Sequence, residues 1–166
     1  MAALMTGGAG PNDLTLAVEA TYLVKLPPFI AWPDDAFPTP ASPFTVCVVG
    51  DDPFGDILDR ALDGQRVGDH PVAVARLAAA SPTTHCQIAF IGGGKAEPAE
   101  TLRALRGTPV LTVTGSDAAG TAKGIVNFVL RENHIRLEID DVAAAANHLE
   151  ISSKLLAIAA SVRSRT

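Results

Sequence analysis

The chain has 166 residues, of which 48% are hydrophobic, 19% are charged and only 5% are aromatic. This composition is typical of a globular protein whose core is built from aliphatic side chains, and the length suits one domain. The formal net charge is -5, and lysine and arginine do not cluster along the chain, so nucleic acids and anionic membranes are poor partners. No apolar run approaches the roughly 20 residues that span a bilayer, and no membrane insertion is expected.

The N-terminal end differs from the rest of the chain. The stretch "MAALMTGGAG" at residues 1–10 lacks the basic start and the long apolar middle of a complete signal peptide. We treat residues 1–11 as a flexible remnant of a processed or truncated end, and assign the folded domain to residues 12–166. Asn12 or Asp13 can cap a helix whose apolar spacing continues to Trp32, with a kink or break expected at the proline pair 27–28.

Strands and helices are predicted to alternate through the middle of the chain. Phe44–Val49 is a buried strand candidate, and Asp52 and Pro53 resemble the N-cap and first residue of a helix that ends near Leu62. Further strands are predicted at 71–77, 87–91 and 109–114, with a helix over about 97–106. Because parallel neighbours need a crossover connection, this order predicts a Rossmann-like, three-layer α/β sandwich with a mostly parallel sheet.

The C-terminal part predicts a different arrangement. Two apolar runs at 125–131 and 134–140 are separated by Glu132 and Asn133, which favours an antiparallel hairpin at the edge of the sheet. A short helix over 143–147 follows, and Ser152 is expected to cap a last helix. The sequence therefore predicts a single domain with a parallel body and an antiparallel C-terminal hairpin.

The stretch "VVGDDPFGDI" at Val48–Ile57 has two glycines at the spacing of a phosphate-binding loop. Such a loop continues with Lys and then Ser or Thr, but here Asp56 and Ile57 take those positions. Asp51 and Asp52 add carboxylates that repel phosphate. The stretch therefore predicts a strand-to-helix turn, and a cationic or amine ligand is the alternative that its acids leave open.

No catalytic or metal-binding constellation is predicted. The four histidines are scattered without the spacing of a helical metal pair, and no serine lies in a nucleophile elbow. His85 and Cys86 are adjacent near a strand start, where neighbouring side chains point to opposite faces. We therefore expect neither an enzyme nor a metal or cofactor site.

One class that remains is a small-ligand-binding module. Loops at the carboxyl edge of a parallel sheet commonly form ligand sites, and a glycine run at 92–94 could bring backbone amides close to a ligand. The candidate ligand-binding residues are Asp51, Asp52, Gly93, Lys95 and Ser116.

The two cysteines leave two alternatives open. Cys47 lies within the first predicted strand and Cys86 at the start of the third, and these strands could be neighbours. Two buried free thiols fit this placement, and so does a disulfide, which would stabilise the fold by roughly 4 kcal/mol on the chain-entropy estimate. An oxidising compartment would favour the disulfide.

Four segments carry a resemblance to a known family: "FIAWP" at 29–33, "CVVGDDPFG" at 47–55, "GIVNFVL" with "HIRLEID" at 124–140, and "LEISSKLL" at 149–156. Together they resemble the YfiR-like periplasmic proteins over nearly the whole chain after residue 12. The resemblance implies a secreted, periplasmic protein that represses an inner-membrane diguanylate cyclase in cyclic-di-GMP signalling and biofilm control. It would act by binding the cyclase's periplasmic portion, with redox state controlling release.

The resemblance also implies that Cys47 and Cys86 form a disulfide. A second disulfide known in the family has no counterpart, because the chain has only two cysteines. Candidate residues for contact with the cyclase lie on the predicted hairpin, where apolar and acidic side chains combine: Phe128, Ile135, Leu137 and Glu138. A homodimer is a further possibility that the sequence leaves open.

Overall fold

A computed structural model of the protein describes residues 11–93, 97–117 and 122–165. The helices in this part of the chain are α1 (Pro11–Lys25), α2 (Asp56–Leu62), α3 (Pro98–Leu105), α4 (Asp141–Ala146) and α5 (Ser153–Ile158). The strands are β1 (Ile30–Ala31), β2 (Phe44–Val49), β3 (Arg66–Val67), β4 (His70–Leu77), β5 (Ile88–Ile91), β6 (Leu111–Thr114), β7 (Val126–Arg131), β8 (His134–Asp140), β9 (Glu150–Ile151) and β10 (Ser161–Arg163). The prediction for residues 1–10 lies outside the described residues.

The main sheet has eight strands in the order β10-β8-β7-β6-β5-β2-β4-β3. The five central strands β4, β2, β5, β6 and β7 are parallel, whereas β3 with β4 and β7 with β8 are antiparallel. Strands β1 and β9 form a separate two-stranded antiparallel pair. The predicted single-domain α/β fold with a mostly parallel sheet is confirmed.

The sheet is covered on both faces, which makes the three layers of the predicted sandwich. Val46 and Val48 of β2 belong to a large hydrophobic cluster that includes residues of α1 and α2. The alternating residues Cys47 and Val49 belong to a smaller cluster with Leu105 of α3. Side chains along a strand point alternately to the two faces, so a strand buried on both faces is apolar at successive positions.

The first helix is shorter than predicted. It ends at Lys25 and not at residues 32–33, and a 3-10 turn at Pro27–Phe29 follows it. Proline has no amide hydrogen to donate, so the pair at 27–28 ends the helical ladder. The released chain forms β1, in which Ile30 pairs with Ile151 of β9.

The second helix begins later than predicted. Asp52 and Pro53 do not start it, because α2 begins at Asp56 after Gly55, whose φ of 55° lies in the left-handed region. The Asp52 carboxylate instead accepts the amide hydrogen of Phe54 over 2.9 Å. This short loop between β2 and α2 is what exposes the acids at the end of β2.

The C-terminal hairpin forms as predicted, but it does not lie at the edge of the sheet. Glu132 and Asn133 both have positive φ values, 51° and 66°, as a tight two-residue hairpin turn requires. The edge is taken by β10, which pairs in parallel with β8. Strands of two or three residues, such as β3 and β10, carry too little periodicity for sequence patterns to reveal them.

Candidate functional site

A cleft of about 500 Å³ opens at the carboxyl ends of β2, β5 and β6. Strand β2 pairs with β4 on one side and with β5 on the other, so the chain order reverses between β2 and β5. In open α/β sheets such a reversal leaves a crevice above the strand ends, because the loops leave in opposite directions. The topology therefore places the cleft at the position where this fold class forms ligand sites.

The floor of the cleft is made of closely packed backbone. The amide of Asp51 donates to the carbonyl of Gly93 over 3.0 Å, and the amide of Gly92 donates to the carbonyl of Val49 over 2.8 Å. A Cβ atom on Gly92 would collide with the carbonyl oxygen of Asp51. Glycine is therefore needed at position 92 because the backbone of this loop packs directly against the backbone after β2. This packing accounts for one glycine of the run at 92–94, and no bound anion is required to explain it.

Four acidic residues line the cleft: Asp51, Asp52, Glu97 and Asp117. Only Asp52 is paired with a cation in the described part of the chain, since its carboxylate accepts from Arg76 Nε over 2.7 Å. The carboxylates of Asp51, Glu97 and Asp117 form no hydrogen bond or ion pair with a described residue. No lysine, arginine or histidine lines the cleft within residues 11–93, 97–117 and 122–165.

Arg76 of β4 holds the acidic loop against the sheet. Its guanidinium bonds to the carboxylate of Asp59 over 2.8 Å and to the carbonyl of Gly55 over 2.8 Å, in addition to Asp52. The hydrogen bonds to Asp59 and Asp52 raise the pKa of Arg76, and the bond from Arg76 lowers the pKa of Asp59. These contacts fix the loop but leave the cleft acids beyond Asp52 without a countercharge from the described residues.

Glu19 of α1 is a buried acid beside this cleft. Its side chain is 1% exposed, and its Oε2 accepts from the hydroxyl of Ser116 over 2.6 Å. The other oxygen, Oε1, is buried without a hydrogen-bond partner among the described residues. Burial raises the pKa of Glu19 against the opposing effect of the Ser116 hydrogen bonds, and the charge of Asp117 raises it further.

Glu19 and Asp117 converge over Gly115 in the wall of the cleft. A Cβ atom on Gly115 would lie 3.0 Å from Glu19 Oε1, 3.1 Å from Asp117 Oδ1 and 2.8 Å from the ring of Phe90. Gly115, Asp117 and Phe90 all line the cleft. The two carboxylates and the aromatic ring therefore pack so closely against position 115 that only glycine fits there.

The helical spacing in the sequence already indicated that Glu19 is buried, although the sequence analysis did not identify it as a site residue. Glu19, Leu23 and Leu26 follow one another at the i, i+4, i+7 spacing of a single helix face. Leu23 and Leu26 are both buried, so the same spacing places Glu19 on the inward side of α1. An acid at such a position is unusual unless it has a polar partner or a role.

The predicted ligand-binding residues are mostly brought together. Asp51, Asp52 and Gly93 line the cleft, and Ser116 lies next to it through its hydrogen bond to Glu19. Lys95 lies outside the described residues. Binding of a ligand at these positions stays a prediction.

The predicted partner-binding residues lie on β7 and β8, and three of them point into the protein. Phe128, Ile135 and Leu137 are buried in the large hydrophobic cluster. Glu138 is partly exposed, accepts from Arg131 over 2.9 Å and lies 3.7 Å from the Lys123 ammonium. Their contact with a partner stays a prediction, but burial means that only Glu138 offers a surface for it without rearrangement.

A disulfide joins Cys47 and Cys86, whose Cα atoms are 6.0 Å apart. It links the middle of β2 to the segment just before β5, within the smaller cluster beside α3. Both cysteines are buried. The cross-link therefore ties together the two strands between which the cleft opens.

Two further classes of site are not found in the described part of the chain. No group of three or more His, Cys, Asp or Glu side chains there could hold a metal ion. None of the helices in residues 11–93, 97–117 and 122–165 has the length and apolar character needed to cross a membrane.

Comparison with known proteins gives one family. A family model described as YfiR/HmsC-like matches residues 16–160, a span that contains both cysteines and every described residue of the cleft. Comparison with curated proteins finds no match. The family is regulatory and periplasmic, and it supports in general terms a regulator of diguanylate cyclases.

Proposed function

The chain belongs to the YfiR/HmsC-like family, and we propose that it represses an inner-membrane diguanylate cyclase by binding the cyclase's periplasmic portion. The match of the family model to residues 16–160 is the observation that carries this proposal. The disulfide between Cys47 and Cys86 supports it as well, because the family resemblance implies this pairing. The protein then lowers cyclic-di-GMP output, and with it biofilm formation, through contact with its partner.

The surface for this contact is proposed to include Glu138 and its neighbours on the hairpin. Glu138 is bonded to Arg131 of β7, and Lys123 lies close by, so the three form a mixed-charge patch that is partly exposed. Phe128, Ile135 and Leu137 would contribute by holding β7 and β8 in place beneath this patch. Charged residues at the rim of an interface mainly affect association rate and partner choice.

The disulfide offers a route to redox dependence. Cys47 and Cys86 are buried, so a reductant reaches the bond only when the segment before β5 opens locally. Reduction would remove the covalent constraint between β2 and that segment. We propose that the oxidised form is the one that binds the cyclase.

A pull-down with the periplasmic portion of a cyclase encoded beside this protein tests the proposal. The oxidised chain should retain the cyclase fragment, and Glu138→Arg should weaken retention by reversing the charge of the patch. Asp63→Asn, a change at an exposed residue after α2 and far along the chain from the hairpin, is the control and should bind as the parent does. Absence of binding in both the oxidised and the reduced form would refute the proposal, and size-exclusion chromatography of the same samples reports any homodimer.

A separate result would contradict the proposed contact surface at Glu138. If Glu138→Arg binds as well as the parent while the fragment is still captured, the repressor role stands and the hairpin surface is wrong. The exposed apolar residues of α1, Leu14 at 59% and Val18 at 43% exposure, are then the next surface to change.

A further inference from the structure

We infer that a thiol reductant attacks the Cys47–Cys86 disulfide at the sulfur of Cys86 and expels Cys47, and that it enters through a pocket beside Cys86. The two sulfurs belong to residues that are buried to a similar extent, so what separates them is the backbone to which each is attached. The purpose of this exchange rests on the redox control within the proposed function, whereas its chemistry concerns this chain alone.

Cys47 is held firmly within the sheet. It lies in β2, where it pairs with Ala75 of β4 on one side and with Ala89 of β5 on the other. Its side chain belongs to the smaller hydrophobic cluster, which also contains Leu105 of α3. Hydrogen-bonded strands in the core are the last parts of a protein to open, so a reagent reaches the Cys47 sulfur only when the sheet itself unfolds.

Cys86 belongs to a loosely attached segment. Residues 78–86 connect β4 to β5, and all their hydrogen bonds with described residues lie within the turn from Ser81 to Thr84. Most of the segment is exposed, and its contacts with the smaller cluster are made by Ala80 and Cys86. Few buried contacts and few hydrogen bonds to the body of the protein give low local stability, so this segment opens far more often than β2.

The chain is anchored directly after Cys86. The backbone amide of Gln87 donates to the carbonyl of Thr45 over 2.9 Å, and its side-chain amide donates to the carbonyl of Ala36 over 2.6 Å. Its side-chain oxygen accepts from the amide of Thr45 over 2.6 Å. Movement of residues 78–85 therefore uncovers the Cys86 sulfur while β5 stays in place.

A pocket lies beside Cys86 and not beside Cys47. Its volume is about 300 Å³, and it is lined by residues 84–86 on one side and by residues 107–110, between α3 and β6, on the other. Cys47 does not contribute to this lining. The space is several times the volume that a water molecule takes in the liquid, so a small thiol fits beside the segment and reaches Cys86 Sγ when the segment moves aside.

Access and leaving group favour opposite sulfurs, and access decides. Attack on Cys86 expels the Cys47 thiolate into an apolar cluster, where an ion is poorly solvated. Attack on Cys47 would expel Cys86 into more polar surroundings, but the incoming thiol would have to pass between hydrogen-bonded strands beside α3. A poor leaving group slows exchange, whereas a closed path prevents it. We therefore expect slow exchange that is confined to Cys86.

The exchange is balanced with a dithiol as the reductant. One thiolate of the dithiol forms a bond to Cys86 Sγ while the bond between Cys47 and Cys86 breaks, and the Cys47 thiolate takes a proton from water. The second thiol of the reductant then attacks the reductant's own sulfur in the mixed disulfide and releases Cys86. The protein gains two electrons and two protons, and the reductant is oxidised to a disulfide.

Trapping of the mixed disulfide tests the inference. The folded parent protein is treated with 2-mercaptoethanol, a neutral monothiol, and the reaction is stopped at early times with acid and then with N-ethylmaleimide under denaturing conditions. Arg60, Arg66 and Arg76 lie between the two cysteines, so trypsin separates them for mass spectrometry. Mercaptoethanol should be found on Cys86 at least about tenfold more often than on Cys47, with the maleimide on the other cysteine.

Two matched variants test whether opening of the segment controls the rate. Thr84→Ala removes a hydroxyl that accepts the Ser81 amide over 2.8 Å. Ser42→Ala removes a hydroxyl that accepts the Thr39 amide over 3.0 Å in another exposed turn, outside the lining of the pocket. Loss of one hydrogen bond from the segment should speed loss of the disulfide about two- to tenfold in Thr84→Ala, and the rate in Ser42→Ala should change less than about twofold. Circular dichroism establishes that both variants are folded.

Equal trapping on the two cysteines, or more trapping on Cys47, would overturn the inference. Equal rates in Thr84→Ala and the parent would do the same, as would a reaction that starts only when denaturant unfolds the whole protein. Because no cyclase is present, each of these results leaves the repressor proposal intact. A pull-down without binding would remove the purpose of the exchange and leave its direction unchanged.

Discussion

Acidic residues have different surroundings in two regions of the main sheet, the edge formed by β8 and β10 and the cleft above the central strands β2, β5 and β6. Around the hairpin and the C-terminal strand the carboxylates are paired, with Asp140 bonded to Arg163 over 3.1 Å and Asp141 bonded to Arg165 over 2.8 Å. At the cleft, Asp51, Glu97 and Asp117 have no described cation beside them. Carboxylates therefore form ion pairs that stabilise the β8 and β10 edge, whereas at the cleft they leave a negative potential.

This contrast argues that the charge of the cleft is not a by-product of the net charge of -5. Arg76 lies near the cleft and bonds to both Asp52 and Asp59. This cation stabilises the loop between β2 and α2. The acids that face the open space receive no such cation from the described residues. Repulsion among them lowers stability by a small amount.

The largest expected effect concerns the cross-link beneath the cleft. Reduction of the Cys47–Cys86 disulfide should lower the free energy of unfolding by about 4 kcal/mol, because the unfolded chain regains the entropy of an open loop. Urea unfolding with and without a reductant measures the difference. The Cys47→Ala/Cys86→Ala variant is the control, since a reductant should leave its midpoint unchanged. If the unfolding midpoint of the parent protein were also unchanged by the reductant, the disulfide would not stabilise the fold.

An intermediate effect is expected at Asn127 of β7, whose side chain bonds to the end of β6 and to the segment just before β7. Its side chain accepts from the Thr114 hydroxyl over 2.6 Å and from the Gly124 amide over 2.7 Å, and donates to the Gly124 carbonyl over 2.9 Å. Asn127→Ala should cost about 2 to 3 kcal/mol, because it leaves buried backbone and hydroxyl groups without partners.

Chemical denaturation measures this change, with Thr114→Val as a comparison. That variant removes a single bond to the same side chain and should cost less, about 1 kcal/mol. Equal losses in the two variants would mean that the backbone bonds of Asn127 contribute little. The junction between β6 and β7 would then depend on apolar packing.

The smallest effects test the contrast itself with one substitution in each region. Glu138→Gln should lower stability by about 0.5 kcal/mol, because it weakens a partly exposed ion pair with Arg131. Glu19→Gln should instead raise stability at pH 7 in the absence of ligand, since it removes the charge of a buried carboxyl and keeps an acceptor for Ser116.

The stability difference between the parent protein and Glu19→Gln should depend on pH. Burial holds the pKa of Glu19 above its ordinary value of 4.5, so the native state binds the proton more tightly than the unfolded state. The parent protein therefore loses stability relative to Glu19→Gln as the pH rises above that ordinary value. Denaturation at pH 4 and pH 7 should show that Glu19→Gln raises the free energy of unfolding only slightly at pH 4 and more at pH 7. A stabilisation that becomes smaller as the pH rises would contradict a raised pKa for Glu19.

Much of the fold could be predicted from the sequence because it depends on local patterns. The continuous apolar run at Phe44–Val49, the two-residue turn at Glu132 and Asn133, and the cap at Ser152 each specify their own conformation over a few residues. The acids at 51 and 52 were also visible as a feature that excludes phosphate.

What only the tertiary structure decided is which distant groups meet. Glu19 and Ser116 are 97 positions apart, and no local periodicity links a helix near the start of the chain to a loop after β6. The edge strand β10 likewise exists only because β8 offers it unpaired backbone groups, since three residues cannot hold a strand by themselves. The sequence by itself determined the longer strands and helices and their alternation, because these follow from short-range sterics and the period of apolar residues. The folded chain determined the acidic cleft, because it arises where the order of parallel strands reverses and loops from separate parts of the chain converge.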